Sequence, residues 1–528
     1  MPDADLILVG GRIWTLEPGR PRAGAVAVTG ERITAVGDAD KVLAERGNRT
    51  TVVELEGRTI LPGFYDAHQH QLYAGLARRQ VDGRAASLED LGARVARAAR
   101  AGGPHTWVEG HGYDERELAE GRHPTRSDLD RAARSQPCFV TRTCGHAMVA
   151  NSAALALAGI DRHTPDPPGG LIEREPRTGE PSGLLRERAM ELIRRVVPPA
   201  SSATLKRAIL EEASENLRRG ITSVWEPSVE PDHVAAYREL ADAGELPLRV
   251  TMAHKKVLRS GEDIPIPQGF RSGRLSLNAV KLFQDGAIGA RTAAVSEPYV
   301  GDAENHGVLV WDQGELDRMA TDIANAGLQI SIHAIGDNAI RSALAAIDTA
   351  LSRSAAPRRR HRIEHCGLPL GDLPAELGRL GVVPVVQPSF LFFHGETYLE
   401  NLGHDRSGHL YPVRSLLEGC GTVAGSSDGP VVPDLTPLRG IQSAMARETA
   451  DSRVLGPLES ISLEDGVRLY TVMAARAAHE EHEKGALAPG KLADIVVLDR
   501  DLERVPTREL LEVGIEWVLV GGSTAFHA

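Results

Sequence analysis

Eight short apolar runs recur along the chain, and helical stretches separate most of them: TILPGFYDAH (59–68), ITSVWE (221–226), LRVTMA (248–253), LNAVKLF (277–283), LQISIHA (328–334), HRIEHC (361–366), VVPVVQP (382–388) and TVAGSSD (422–428). The intervening segments, such as LKRAILEEASENLRRG (205–220) and GELDRMATDIANAG (314–327), are rich in Ala, Leu, Arg and Glu. Strand and helix in alternation build a parallel sheet, and eight parallel strands close into an α/β fold of the (β/α)8 TIM-barrel type. That count requires residues 72–200 to be an insertion after the first strand. The block holds one more strand-like piece, CFVTRT (138–143), and a Pro/Gly-rich stretch, HTPDPPGGLIEREPRTGEPSG (163–183). A long excursion of this kind in a barrel is expected to serve as a lid or a substrate-side element.

The ends of the chain have another character. ADLILVGGRIWTL, GAVAVTGERITAVG and TVVELEGRTI alternate apolar and polar residues between Gly-containing turns, and KLADIVVLDRD (491–501) and GIEWVLVGGSTAF (514–526) repeat the pattern. One small composite β-sandwich domain, 1–58 plus 484–528, is expected from both termini, leaving 59–483 to the barrel. A net charge of −12 argues against nucleic acid and against anionic lipid as partners, because both need a basic surface. Four cysteines in 528 residues make no disulfide framework, the N-terminus lacks the basic start of a signal peptide, and no run approaches the roughly 20 apolar residues of a membrane span. A soluble, cytoplasmic protein acting on a small molecule is expected. The 19 histidines are nearly as many as Phe, Trp and Tyr together, which raises the prospect of metal or acid–base chemistry.

Position sharpens that prospect. His68 and His70 end the first run, and residues i and i+2 of a strand face the same side. Both imidazoles then sit at the C-terminal end, where barrel active sites lie, and suit Zn²⁺ or a similar divalent ion. His-x-His alone is equally compatible with surface or core histidines. His333, His365 and Asp428 shift the balance, because each falls at the same end of its own run. Lys281 lies inside an apolar strand, where an unpaired ammonium is costly. It is either paired with a carboxylate or converted by CO₂ into a carbamate.

These motifs resemble the amidohydrolase superfamily of metal-dependent hydrolases over essentially the whole length. GRTILPGFYDAHQH (57–70) is similar to the family's barrel entry, and KGALAPGKLADIVVLD (484–499) to its return strand. VKLFQDGAIGARTAAVSEPY (280–299), ISIHAIGDNAI (330–340), RIEHCGLP (362–369) and GSSDGPVVPDLTPLRGI (425–441) resemble the YtcJ-like branch, which includes N-substituted formamide deformylase; WVEGHGYDERELAEGRHPTRSDLD (107–130) and TCGHAMVANSAALALAGI (143–160) resemble its insertion. The resemblance implies that His68 and His70 bind the more buried metal, that His333 and His365 bind a second, that Lys281 bridges as a carbamate, and that Asp428 ligates and serves as general base. Zinc, one or two ions per chain, is the implied cofactor. The implied activity is hydrolysis of an amide-type C–N bond by metal-activated hydroxide, with deamination or ester and lactone hydrolysis as the alternative. A homodimer is implied by resemblance alone.

Further residues are open to two readings. Asp285 and Arg291 follow Lys281 on a loop that would line the site; Arg291 could orient a substrate carbonyl or carboxylate, or pair with Asp285 or Glu297. His146 could contact substrate or cap the helix near NSAALALAG. Trp225 and Glu226 could line the pocket. Asp337 is expected to cap the helix after the fifth strand. SFLFFHGETY, with Phe390, Phe392, Phe393 and His394, could be a substrate wall, loop packing or a subunit contact.

Overall fold

The computed structural model describes every residue except 1–2, 102, 104–105, 134, 144, 146, 168, 257–264 and 357–358. All eight apolar runs contain strands: β1 (Phe64–Asp66), β2 (Ile221–Val229), β3 (Arg249–Lys255), β4 (Leu275–Phe283), β5 (Gln329–Ala334), β6 (Arg362–His365), β7 (Val383–Val386) and β8 (Ala424–Gly425). They pair in parallel and in sequence order from β1 to β8, which is the barrel expected from the alternation. Small residues fill its interior. Ala67, Ala253, Ala279 and Ala424 pack with Tyr65, Trp225, Val383 and Val385 and with the alanines of the helix Val472–Ala477.

Between β8 and β1 the barrel is joined by single bonds. The Ala67 amide donates to the Gly425 carbonyl at 3.3 Å, and the Asp428 amide to the His68 carbonyl at 2.8 Å. The buried Asp66 carboxylate accepts from the amides of His68 (3.2 Å) and Ser427 (3.1 Å).

The run at 59–68 is not one strand. Thr59–Pro62 leaves the barrel and joins a sheet formed from both chain ends, while β1 starts at Phe64. Gly63 makes the break, because a side chain there would collide with Thr222. The terminal sheet has eight strands. Its order runs Ser523–His527, Ile515–Val520, Ile495–Leu498, Thr59–Pro62, Ala4–Glu17, Arg20–Thr29 and Arg32–Gly37, with Arg46–Glu54 pairing alongside Ala4–Glu17. Leu8, Ile13, Val26, Ile60, Ile495 and Val497 build its core.

The chain divides into two compact units, Met1–Ala74 with Lys206–Ala528, and Gly75–Leu205. The second holds a six-stranded sheet in which Cys138–Arg142 is an inner strand, with Leu91, Val95, Leu129, Val140 and Val149 in its core. Among the described residues no helix is long and apolar enough to cross a membrane.

Candidate metal centre

Each strand of the barrel that ends in a polar residue delivers it to the same rim. His68 and His70 follow β1, and Asp428 follows β8 on the other side of the seam. One donor atom from each of the three lies within 4.8 Å of the others. Asp428 Oδ1 is 3.3 Å from His68 Nε2 and 3.4 Å from His70 Nε2. His365, which ends β6, stands with its ring centroid 5.0 Å from that of His68, and His333 on β5 is 4.4 Å from His365. Lys281 on β4 is 1% exposed, and its Nζ has no hydrogen-bond partner. The barrel thus brings all six expected residues to one rim.

Neighbours set the orientation of the rings. Glu364 Oε2 lies 2.6 Å from His68 Nδ1, which fixes the proton there and leaves Nε2, buried and without a hydrogen bond, turned toward Asp428. Gln387 Oε1 occupies His365 Nδ1 at 2.8 Å. The Gly286 carbonyl occupies His333 Nε2 at 3.0 Å. In each case one ring nitrogen is tied down and the other is left as an acceptor. His70 Nδ1 is also buried without a partner.

The electrostatics favour neutral imidazoles beside a carboxylate. Burial holds His70 below the usual imidazole range and His365 well below it. Burial pushes Asp428 up, yet its contacts with His68 and His70 outweigh that and hold the carboxyl well below its ordinary value. Burial also pulls the Lys281 ammonium down to about 8, against the opposing charges of Glu364 and Asp428.

Arg362 and Glu364 were missed in the sequence. Arg362 is fully buried, donates to both Glu364 oxygens and to the Ala67 carbonyl, and lies 3.6 Å over the Trp225 ring. Trp225 is itself fully buried in the barrel core. Asp285 accepts from the amides of Ala294 (3.0 Å), Ile335 (3.0 Å) and Gly336 (2.9 Å), so it staples the loops after β4 and β5 together. Arg291 donates to Asn401 Oδ1 at 2.7 Å instead of pairing with Asp285 or Glu297. Asp337 is not the cap of its helix. Gly336 holds that position, and the Asp337 carboxylate accepts from the Ser296 amide at 2.9 Å. SFLFFHGETY is helical, within Ser389–Ser407. His146 lies outside the described residues.

Glu226, at the C-terminal part of β2, accepts from Tyr237 Oη at 2.7 Å and the Leu72 amide at 3.2 Å. Burial pushes its carboxyl up to about 8. Between the ordinary carboxylate range and pH 8 the native protein keeps this proton while the unfolded chain has lost it, so stability falls as pH rises through that window, by up to about 1.4 kcal/mol per pH unit. Glu226→Gln removes this contribution. Urea denaturation from pH 5 to pH 9 should show the variant gaining on the wild type with rising pH; parallel curves would refute a neutral Glu226.

A family model described as Amidohydrolase family matches residues 51–526. The chain is 30% identical to YtcJ of Bacillus subtilis (strain 168), over 98% of each chain. It is also 30% identical to N-substituted formamide deformylase of Arthrobacter pascens, over 98% of this chain and 97% of that one. Among solved structures, a metal-dependent hydrolase from Pyrococcus horikoshii OT3 superposes with a TM-score of 0.80 at 28% identity, covering 95% of this chain and 99% of the other.

Proposed function

The chain belongs to the amidohydrolase family, and from that premise we propose a metal-dependent hydrolase that cleaves the C–N bond of an N-substituted formamide, the class named for its Arthrobacter pascens relative. One observation carries the reading: His68, His70 and Asp428 aim donor atoms at one point, with His68 Nε2 buried and unsatisfied. A buried polar atom without a partner is costly, and a divalent ion accounts for it. The donor set of neutral imidazoles and carboxylate suits zinc. His68, His70 and Asp428 would hold one ion, and His333 and His365 a second.

When bound, a divalent ion supplies Lewis-acid activation of water and of the substrate carbonyl at neutral pH. The residues do the rest. Asp428, ionised at neutral pH, takes the proton of the attacking water on a carboxylate oxygen. As the C–N bond breaks it returns that proton to the amine nitrogen, so that formate and a free amine leave. Glu364 and Gln387 hold their imidazoles so that no ring need turn during the reaction.

Lys281 fits a second part of the proposal. Its amine, buried and partly neutral near pH 8, can add to CO₂ and lose a proton, giving a carbamate whose oxygens would serve as metal ligands beside the imidazoles. Protein equilibrated with isotopically labelled CO₂ should give a carbamate carbon resonance that is missing in Lys281→Arg. An unlabelled Lys281 in metal-loaded protein would remove the carbamate.

Purified protein should contain one to two equivalents of zinc or a like metal and release amine from N-formyl amines. A stripped protein should regain thermal stability on addition of zinc, by about 3 kcal/mol at 100 times Kd. A chain that binds no divalent metal on reconstitution, and releases no amine, would overturn the reading.

A further inference from the structure

His70 differs from the other imidazoles of the metal centre. Glu364 holds His68, Gln387 holds His365 and the Gly286 carbonyl holds His333. No group among the described residues bonds His70 Nδ1, which is buried. The backbone around this ring is also sparsely tied. β1 ends at Asp66, so residues 67–70 lie beyond the regular ladder. Their amides reach their neighbours one bond at a time, Ala67 to Gly425, Gln69 to Trp225 and His70 to Gly429.

What grips this stretch lies behind it. Gln69, between the two ligands, turns away from them onto the helix Ser202–Arg218, where its side-chain amide pairs twice with that of Asn216. Asn216 Nδ2 donates to Gln69 Oε1 at 2.6 Å, and Gln69 Nε2 donates to Asn216 Oδ1 at 3.1 Å. The same Asn216 Nδ2 donates to Gln71 Oε1 at 3.3 Å. Gln69 and Gln71 flank His70 in the chain, so one amide takes hold on both sides of the ligand. Asn216 is fixed in turn from its own helix. Arg219 donates to its Oδ1 at 3.2 Å and to Glu212 Oε1 at 2.8 Å. Both donor hydrogens and both acceptor positions of Asn216 are thereby used. Gln69, Gln71 and Asn216 are all fully buried.

Stability alone does not call for this arrangement. Apolar side chains of the same shape on both partners would fill the space at little cost. Three buried amides add direction: a satisfied hydrogen-bond network admits one geometry, where apolar packing tolerates small shifts. We propose that Asn216 is the positioning residue of His70. It acts through Gln69 and Gln71, and it holds the imidazole where Nε2 meets the ion beside His68 and Asp428. The ligand role of His70 rests on the metal-dependent reading above; the clamp on residues 69–71 does not.

The test reads zinc affinity by competition with a chelator, and backbone amide exchange of the metal-free protein by mass spectrometry. Asn216→Leu should weaken zinc binding by about 10–100-fold, the usual loss for a group that orients a ligand. Gln69→Met should do the same, and the double variant should be no weaker than either single one, because the two side chains act as a unit. In metal-free Asn216→Leu, exchange should rise at residues 67–74 and stay unchanged at 361–368, the stretch that carries His365. A merely structural Asn216 would lower the melting temperature and leave zinc affinity where it was. Wild-type zinc affinity in Asn216→Leu, or losses that add in the double variant, would overturn the proposal. Should Asn216→Leu fail to fold, Gln71→Met cuts one arm of the clamp only; it should still weaken zinc binding and raise exchange at 67–74, and no change in either would overturn the proposal. A wild-type protein that takes up no divalent ion would discard the metal-dependent reading. The exchange pattern would then decide the clamp by itself: a rise confined to 67–74 would retain it, and unchanged exchange there would overturn it.

Discussion

Replacing Asp428 with Asn should lower turnover about a thousandfold, the scale of a general acid–base group, and leave the protein folded. The backbone explains the second half. Asp428 has φ +56°, and its amide is bonded to the His68 carbonyl at 2.8 Å. Asparagine is one of the few side chains that accept this conformation readily, so the turn survives. The side chain explains the first half. An amide placed 3.3 Å from His68 Nε2 and 3.4 Å from His70 Nε2 can still reach an ion, yet it cannot take a proton from water or return it to an amine. Steady-state rates on N-formyl amines, beside a thermal melt and a zinc determination, separate the two. A variant that keeps more than a tenth of the wild-type rate would remove Asp428 from the proton path.

Removing Glu364 has the largest expected effect on the structure. Glu364→Ala leaves Arg362 buried with no anion to face, and breaking one side of a buried pair costs about 3–5 kcal/mol. Both residues are fully buried, so water cannot take over. Burial pushes the Glu364 carboxyl up, but Arg362 and His68 hold it well below its usual range, so the pair is charged in the native state. Glu364→Gln is the milder cut. It keeps an oxygen for His68 Nδ1 and loses the charge that makes the imidazole a stronger ligand, so zinc binding should weaken by about 10–100-fold. Urea denaturation reads the first variant and zinc competition the second. Wild-type zinc affinity in Glu364→Gln would show that the 2.6 Å contact plays no part in metal binding.

The barrel was legible in the sequence because its strands are short apolar runs between helices of ordinary length, and because a strand that ends in His or Asp places that residue at a known rim. Less was visible where one residue type has two uses. Asp285 follows a strand and reads as a pocket carboxylate, while in the fold it collects one amide from its own loop and two from the loop after β5, distant in sequence. The break at Gly63 depends on Thr222, a residue on another strand, and no local pattern reports it. Arg362 and Glu364 did leave a trace. Two charges at alternate positions of the four-residue strand β6 must share one face, and a buried charge requires a partner. The aromatic run at 390–398 reads as one cluster until helical spacing divides it into two faces.

The seam between β8 and β1 bears on how the protein is made. Ser427 and Asp66, which close it, are 361 residues apart along the chain. Contacts of such separation carry a high loop-closure cost and form late. His68 and His70 emerge early in synthesis and Asp428 near its end, so a nascent chain holds only two of the three ligands of the tight triad until the last barrel strand has docked. Zinc uptake by the refolding protein should therefore follow, and not precede, recovery of the native sheet, making the ion a reporter of completed folding and not its nucleus.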